Sequence, residues 1–297
     1  MYQYFCYGLH IASELEMPEM RVAHSPSSPD VLIRLGSLSS DGLDESMRQK
    51  SNLWIGTNLL RLHVPEVARF EISDGKQIIV DALPEVSLGD VRLFLQGSAL
   101  GAMLHQRGHL VLHGNAIRFG DACMVCVGHS GSGKSTLAAT LLLHGHDILA
   151  DDVTPISSSN LALPGFPRIK LWQDAANNLG ISTAPLMRIL HRMDKYNLPL
   201  SVEETTDTPL PIRWVYVLEW SDVSELTFVP VEGAARFALL REHTYRLHYL
   251  KGGERLQQHM MQCAQLSRHI QLVRVLRPQD KTLSAEYTAA RLIAHIT

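Results

Sequence analysis

Residues 124–136 read Met-Val-Cys-Val-Gly-His-Ser-Gly-Ser-Gly-Lys-Ser-Thr, and residues 147–152 read Asp-Ile-Leu-Ala-Asp-Asp, with a stretch rich in leucine and alanine between them. The part from residue 128 to residue 135 fits G-x-x-x-x-G-K-[ST] at every fixed position. An apolar run at residues 122–127 precedes it and a helix-compatible run at residues 135–144 follows it, as a phosphate-binding loop requires. The alternative is a glycine-rich turn that binds nothing, and the flanking strand and helix disfavour it.

Each residue type in this loop has a chemical role toward phosphate. Glycines let backbone N–H groups close around phosphate oxygens, and the N-terminus of a helix adds partial positive charge. Lys134 is placed to neutralise the β- and γ-phosphates, and the Ser135 hydroxyl is placed to ligate Mg²⁺. The loop therefore predicts binding of a nucleoside triphosphate. The residues expected to bind it are Gly128, His129, Ser130, Gly131, Ser132, Gly133, Lys134, Ser135 and Thr136.

A pair of carboxylates follows Lys134 by only seventeen residues. A strand, a helix of about ten residues and a second parallel strand would return the chain to a point beside the loop. The apolar residues 148–150 are the expected second strand, which delivers Asp151 and Asp152 to the phosphates. One carboxylate can hold Mg²⁺ and the other can take a proton from an attacking hydroxyl, as phosphoryl transfer requires. The alternative is a pair that caps a helix or turn after a buried strand.

Three segments together resemble the catalytic domain of HPr kinase/phosphorylase: residues 112–117 (Leu-His-Gly-Asn-Ala-Ile), the loop at 128–135, and residues 145–152 (Gly-His-Asp-Ile-Leu-Ala-Asp-Asp). The resemblance implies a serine protein kinase that uses ATP and Mg²⁺ and has a P-loop core of the phosphoenolpyruvate carboxykinase type. It also implies site roles. Asp151 would act as general base, Asp152 and Ser135 would serve the metal, and His113 would lie near the transferred phosphate.

Other segments depart from that family. Thr136 stands where HPr kinases usually have a glutamate, and the Glu-Ile-Arg-Gly-like segment used for HPr contact and phosphorolysis is not visible. The chain is more similar to the stand-alone HPr-kinase-like proteins of lasso-peptide pathways, which phosphorylate a serine near the C-terminus of a precursor peptide. Residues 7–13, 94–100 and 195–200 carry this second likeness.

Basic side chains near the transferred phosphate are also expected, because phosphoryl transfer spreads negative charge over it. Four basic residues follow the strand of the acid pair, and of these Lys195 and Arg168 rank first. The four are Arg168, Lys170, Arg192 and Lys195. Residues 236–277 hold eight more, interpreted as solvated helix faces, with a surface for an acidic peptide as the alternative. These eight are Arg236, Arg241, Arg246, Lys251, Arg255, Arg268, Arg274 and Arg277.

The whole chain predicts an α/β fold in two parts, a small β-rich N-terminal domain at residues 1–88 and a P-loop catalytic domain at residues 89–297. Strands are expected at residues 31–35, 59–64, 77–80, 212–218 and 272–276, with a hairpin turn at Asp74 and Gly75. Helical patterns cover residues 90–107, 233–250, 254–269 and 283–296, and residues 202–211 are an expected exposed loop.

Composition restricts the class of protein. A chain of 297 residues with 45% hydrophobic residues and a net charge of −3 is globular and disfavours general nucleic-acid binding. Glu14, Glu16 and Glu19 interrupt any signal peptide, and no apolar stretch approaches the roughly 18 residues that cross a bilayer, so we expect a cytoplasmic protein without a membrane partner. Cys123 and Cys126 fall on opposite faces of a strand, which predicts free thiols rather than zinc ligands.

Together these features predict an ATP- and Mg²⁺-dependent kinase that phosphorylates a serine hydroxyl of a peptide or protein. Two alternatives stay open: a nucleotide-dependent switch or scaffold with little transferase activity, and a small-molecule or carboxykinase-like kinase. The sequence does not reveal the acceptor, the choice between ATP and GTP, or whether the chain forms a homo-oligomer.

Overall fold

The glycine-rich loop at residues 128–133 joins strand Ala122–Val127 to helix Lys134–Leu143, so the predicted strand, loop and helix are all present. The computed structural model describes residues 1–23, 28–39, 43–190, 193–250, 253–279 and 283–296. Every residue of the strand is buried, because the strand is apolar throughout and has packed layers on both faces. Around this unit the described residues form a mixed α/β fold with three sheets.

The N-terminal part forms the first sheet. Its nine strands are β1 (Tyr2–Cys6), β2 (Leu9–Ser13), β3 (Arg21–Val22), β4 (Val31–Leu35), β5 (Arg48–Lys50), β6 (Leu53–Ile55), β7 (Leu59–Val64), β8 (Ala68–Ser73) and β9 (Gln77–Ala82). Their order in the sheet is β3-β1-β2-β4-β9-β8-β7-β6-β5, and a 3-10 turn at Glu45–Met47 precedes β5. Asp74 and Gly75 have φ of 55° and 64° between β8 and β9, which confirms the predicted hairpin turn.

The second and third sheets belong to the rest of the chain. Their strands are β10 (Leu110–Leu112), β11 (Gly114–Phe119), β12 (Ala122–Val127), β13 (Ile148–Ala150), β14 (Thr154–Ile156), β15 (Leu161–Ala162), β16 (Arg168–Trp172), β17 (Met187–Leu190), β18 (Met193–Pro199), β19 (Leu210–Ser221), β20 (Thr227–Pro230) and β21 (Gln271–Pro278). The second sheet runs β10-β14-β15-β19-β12-β11-β13, with β21 beside β19 and β20 beside β21. The third runs β16-β18-β17.

The strand of the acid pair runs in the predicted direction but is not the direct neighbour of the loop strand. Both β12 and β13 pair antiparallel with β11, which lies between them. The two outer strands are therefore parallel to each other, and their C-terminal ends lie at the same edge of the sheet. This edge holds the phosphate-binding loop and the two aspartates.

Helices cover the sheets. They are α1 (Leu88–Phe94), α2 (Leu100–Gln106), α3 (Lys134–Leu143), α4 (Gln173–Asn178), α5 (Ala234–Glu242), α6 (Gly253–His269) and α7 (Ala285–Ile296). A π-helical turn, Leu95–Ala99, joins α1 to α2, and a 3-10 turn, Leu247–Tyr249, lies between α5 and α6. None of the helices in the described ranges is both long enough and apolar enough to cross a membrane.

The two predicted parts share one apolar core. A single buried cluster contains Phe70 of the first sheet, Leu100 of α2, Val153 and Tyr245. The Tyr7 backbone N–H also donates to the Pro164 carbonyl at 2.8 Å, which ties the β1–β2 turn to the second half of the chain. The change from strands to helices does fall near residue 88, but the packing is continuous across it.

The expected helix at residues 233–250 is too long. Helix α5 ends at Glu242, because the residues after it form hydrogen bonds with β10 and with the residue that follows β10. The His113 N–H donates to the His243 carbonyl at 2.8 Å, and the Tyr245 N–H donates to the Val111 carbonyl at 2.8 Å. These non-local bonds replace the helical ones. As a result, residues 243–246 form a wall of the site instead of a helix surface.

Strand β12 separates two cores, and its two cysteines confirm the predicted alternation of faces. Cys123 packs in a cluster with Leu210, whereas Cys126 packs with Leu137 of α3 on the other side. Both thiols are buried and free.

Candidate active site

Glycines give the phosphate-binding loop its shape. Gly128, Gly131 and Gly133 have φ of 149°, 80° and 85°, which other residues rarely adopt. A Cβ at Gly128 would also lie 2.6 Å from the Leu218 carbonyl oxygen, so only glycine fits there. Helix α3 begins directly after Gly133, and the N–H groups of its first turn have no partner within the helix. These groups and the helix dipole make the loop a site for an anion.

Lys134 lies inside this loop. Its side chain is only 8% exposed, and its Nζ donates to the carbonyls of Gly128 at 2.7 Å and His129 at 3.1 Å. Burial lowers the pKa of Lys134, while nearby acidic groups act to raise it. The ammonium is therefore folded back onto the loop carbonyls.

His113 is fixed by both its backbone and its ring. The residue stands between β10 and β11, and its Nδ1 lies 3.0 Å from the Asp152 carbonyl oxygen and 3.4 Å from Asp152 Oδ1. A carbonyl oxygen only accepts, so Nδ1 carries the proton, and Nε2 of the neutral ring keeps a lone pair. Burial lowers the pKa of His113, against the opposing charge of Asp152, which favours this neutral ring.

Asp152 occupies a strained position at the end of β13. Its φ of 69° lies in the left-handed region, which non-glycine residues rarely adopt and which is often retained for function. Its Oδ2 accepts from Lys170 Nζ at 2.8 Å. Burial acts to raise the pKa of Asp152, but the Lys170 ammonium, which also donates a hydrogen bond to it, outweighs burial and holds the pKa far below its ordinary value. The group is therefore a carboxylate at neutral pH.

Asp151 has a different environment. It is 6% exposed, and both of its oxygens are engaged, Oδ1 by the Asn115 side-chain amide and Oδ2 by the Lys170 backbone N–H at 2.9 Å. Burial, together with the charge of Asp152, raises the pKa of Asp151. The side chain thus joins β11 to β16 beneath the site.

One cavity of about 590 Å³ is lined by residues of the loop, by His113 and by Asp152. The loop residues and the acid–base groups lie along one side, and an apolar wall from α1, the π-helical turn and β17–β18 lies along another. The third wall is the segment that follows α5. The lining residues are Leu93, Phe94, Gly97, Ser98, His113, Gly128, His129, Ser130, Asp152, Lys170, Leu190, Met193, Glu242, His243, Thr244, Tyr245 and Arg246.

Several predicted site residues lie outside this lining. Asp151 is beneath it. Ser135 and Thr136 are half-buried in the first turn of α3, which begins at the buried Lys134. In the loop before it, Gly131 is exposed, Ser132 is buried and Gly133 is half-buried. The described residues contain no group of three or more His, Cys, Asp or Glu side chains that could hold a metal ion.

The two basic residues ranked first from the sequence do not line the cavity. Arg168 is 5% exposed and packs over the Phe166 ring at 4.8 Å, in a smaller pocket behind Lys170. Lys195 lies over the Trp172 ring at 5.5 Å, and its charge still acts on the pKa of His113. Arg192 lies outside the described residues.

The two cations that do line the cavity, Lys170 and Arg246, are not the ones ranked first from the sequence. Lys170 was among the four basic candidates but was not ranked first. It lies two residues after Arg168 on β16, so the two side chains are on the same face of the strand. Arg246 had been assigned to a solvated helix face. It instead has φ of 46° and packs over the rings of Tyr245 and Tyr249, at 5.5 and 5.6 Å. No sequence signal identifies it, because its position depends on where α5 ends.

Comparison with known proteins gives little further information. No family model matches the sequence, and no curated protein matches it either. Among solved structures, the fold is similar to that of the Hpr(Ser) kinase/phosphatase from Coxiella burnetii, with 10% sequence identity and a TM-score of 0.34. The match covers 63% of this chain and 89% of that chain. A likeness this distant adds no support to the role of any residue.

Proposed function

We propose that the chain is an ATP- and Mg²⁺-dependent kinase that phosphorylates a serine hydroxyl of a peptide or protein. The observation that carries this proposal is the single cavity in which a glycine-shaped phosphate loop faces His113, Asp152 and Lys170. An anion site, a carboxylate and a proton acceptor are the parts that phosphoryl transfer needs.

The nucleotide phosphates bind at the loop. Lys134 Nζ turns from the loop carbonyls to the β- and γ-phosphates, and the N-terminus of α3 supplies further N–H donors. Ser135 and Asp152 are the residues that would hold Mg²⁺, and the ion would stabilise negative charge on the phosphates. They fit this role because both offer hard oxygen atoms and Asp152 is ionised at the cavity wall. Arg246, rather than Lys195 or Arg168, is the cation best placed to contact the transferred phosphate.

The proton of the acceptor hydroxyl goes to His113. The hydroxyl oxygen attacks the γ-phosphorus, its proton passes to His113 Nε2, and the bond to the bridging oxygen breaks to leave ADP. The Nδ1 bond to Asp152 orients the ring for this transfer. This division differs from the one predicted from sequence, in which Asp151 is the base. Asp151 has both oxygens engaged beneath the cavity, so we assign it the role of positioning Asn115 and β16.

The acceptor enters from the apolar side. Leu93, Phe94, Leu190 and Met193 offer a surface for side chains that flank a serine. A flexible peptide suits this site, because its hydroxyl must approach in line with the γ-phosphate and a short tail can do so at little steric cost. The segments that resemble the lasso-peptide kinases support a precursor peptide with a serine near its C-terminus as the acceptor.

The experiment is to incubate the protein with Mg·ATP and either HPr or a short precursor peptide with a serine near its C-terminus, and to follow addition of about 80 Da, one phosphoryl group, by mass spectrometry. We expect label on the peptide serine, none with Lys134→Ala, and no loss of label when excess inorganic phosphate is added. Rapid labelling of HPr with phosphate-driven loss of label would contradict the acceptor and the direction. Tight ATP binding without label on any acceptor would favour a nucleotide-dependent switch.

A further inference from the structure

Two side chains from neighbouring strands reach the outer side of the phosphate loop. Trp220 of β19 and Arg277 of β21 are direct partners in the parallel register. The Trp220 Nε1–H donates to the Gly131 carbonyl at 3.2 Å, and an Arg277 Nη2–H donates to the Ser132 carbonyl. The guanidinium also stacks on the indole, with its central carbon 4.0 Å from the ring centroid. Two consecutive loop carbonyls are thus held from outside.

This arrangement orients the loop N–H groups. In a trans peptide the C=O and the following N–H point in opposite directions, and the described residues contain no cis peptide. The bond from Arg277 to the Ser132 carbonyl therefore directs the Gly133 N–H away from the arginine, toward the side where phosphate would bind. The guanidinium also packs closely on Gly133, since an added Cβ there would lie 3.3 Å from Arg277 Nη1.

Among the residues that the structure describes, no carboxylate forms an ion pair with Arg277. The residue is only 6% exposed, and its Nε has no hydrogen-bond partner in the described part of the chain. A buried guanidinium without a carboxylate is costly, because it loses water without gaining a counter-charge. An anion on the opposite side of the loop would reduce that cost.

We propose that Arg277, packed on Trp220, is a positioning residue whose charge and loop contact favour binding of the nucleotide's phosphate groups. The proposal rests on the proposed function in one respect, that a nucleotide binds this loop. It predicts that the contribution of Arg277 grows with the number of phosphates in the ligand, since adenosine alone leaves the loop empty of negative charge.

The test is isothermal titration of adenosine, Mg·ADP and Mg·ATP into the full-length protein and four variants. Arg277→Gln removes the charge, Arg277→Lys keeps the charge but loses the planar donor geometry, and Trp220→Phe removes the indole N–H. Arg274→Gln is the matched control, because Arg274 lies on the same strand, is 42% exposed and pairs with Glu219. Thermal unfolding without nucleotide reports the stability of each variant.

We expect Arg277→Gln to weaken Mg·ATP binding by about tenfold or more, the range for losing a hydrogen bond from a charged group. Mg·ADP should lose less than Mg·ATP and adenosine should be unaffected. Arg277→Lys should recover part of the loss, Trp220→Phe should weaken Mg·ATP by a smaller factor, and Arg274→Gln should match wild type.

Affinities within about twofold of wild type in both Arg277 variants, a difference too small for a lost charged contact, would overturn the inference, even if their thermal stability falls. The inference would also be overturned if the Arg277 variants lost as much affinity for adenosine as for Mg·ATP. If Arg277→Gln fails to fold, Arg277→Lys and Trp220→Phe decide the question. Absence of nucleotide binding to the wild type would instead overturn the proposed function itself.

Discussion

The ion pair between Lys170 and Asp152 allows a quantitative test of the site. Lys170 Nζ lies 2.8 Å from Asp152 Oδ2, and the two side chains are 8% and 24% exposed. Replacing Lys170 by methionine keeps most of the side-chain volume but leaves the carboxylate without its cation. Loss of one partner of a buried pair costs roughly 3–5 kcal/mol. Because Asp152 keeps its contact with His113 and some exposure, we expect the low end, about 3 kcal/mol.

The assay is urea unfolding at pH 7 of wild type, Lys170→Met, Asp152→Asn and the double variant. The double variant removes both charges, so it should be more stable than the sum of the single losses predicts, by on the order of 1–2 kcal/mol. An exposed pair is the control. Arg213 and Asp121 are 2.9 Å apart but 53% and 76% exposed, so Arg213→Met should cost less than about 1 kcal/mol.

The pH dependence has a defined sign. In the wild type the pKa of Asp152 is lowered, so its contribution to the free energy of unfolding is complete above its ordinary pKa of about 4 and declines as the pH falls below that. In Lys170→Met, burial without the ammonium raises that pKa. Protonation of Asp152 in this variant then removes the unpaired charge. The difference in free energy of unfolding between Lys170→Met and wild type should therefore narrow between pH 7 and about 4. This account of the pair would be refuted if the double variant lost the sum of the two single losses in free energy of unfolding. It would also be refuted if the difference between Lys170→Met and wild type did not change with pH.

Three further predictions concern the loop, the acid–base groups and the strand that leads to them. Lys134→Ala should abolish phosphoryl transfer and weaken Mg·ATP binding in titration, whereas equal turnover would remove the loop from the mechanism. His113→Gln should leave Mg·ATP binding nearly intact and reduce phosphoryl transfer by about two or more orders of magnitude, the range for loss of a general base. Asp151→Asn should mainly lower the denaturation midpoint. If instead Asp151→Asn abolished transfer and His113→Gln only lowered stability, Asp151 would be the base. Gly114→Ala should prevent folding or destabilise the protein by at least about 3 kcal/mol, because the new Cβ would lie 2.3 Å from the Cys126 carbonyl oxygen. A variant with the circular dichroism spectrum and stability of wild type would show that the two strands can move apart at no cost.

The loop and its flanking elements could be predicted because their signals are short-range. Strand β12, the start of α3 and the strand before Asp151 depend on runs of neighbouring residues, and the structure has each of them within a residue or two of the predicted limits. A place for His113 near the loop was expected only from the resemblance of residues 112–117 to a known family, and its contact with Asp152 was not predicted.

The assignment of roles within the site could not be predicted in the same way. Adjacent residues such as Asp151 and Asp152 point in different directions. The Asn115 side chain of β11 and the Lys170 N–H of β16 bind the Asp151 carboxylate, and Asp152 is the one that lines the cavity. The position of Arg246 follows from bonds between residues 111–113 and 243–245, which have no signature in the local sequence. Lys195 is displaced for a similar reason, because it is the register partner of Trp172 and packs on that ring.

The most direct test is a crystal structure with Mg²⁺ and a non-hydrolysable ATP analogue. We expect the triphosphate in the loop at residues 128–135, Lys134 Nζ moved from the Gly128 and His129 carbonyls to the β- and γ-phosphates, and the metal between Ser135 and Asp152. His113 Nε2 should face the open side of the γ-phosphate. Phosphates bound elsewhere, or a loop that keeps Lys134 on its own carbonyls with the analogue present at saturating concentration, would contradict the account.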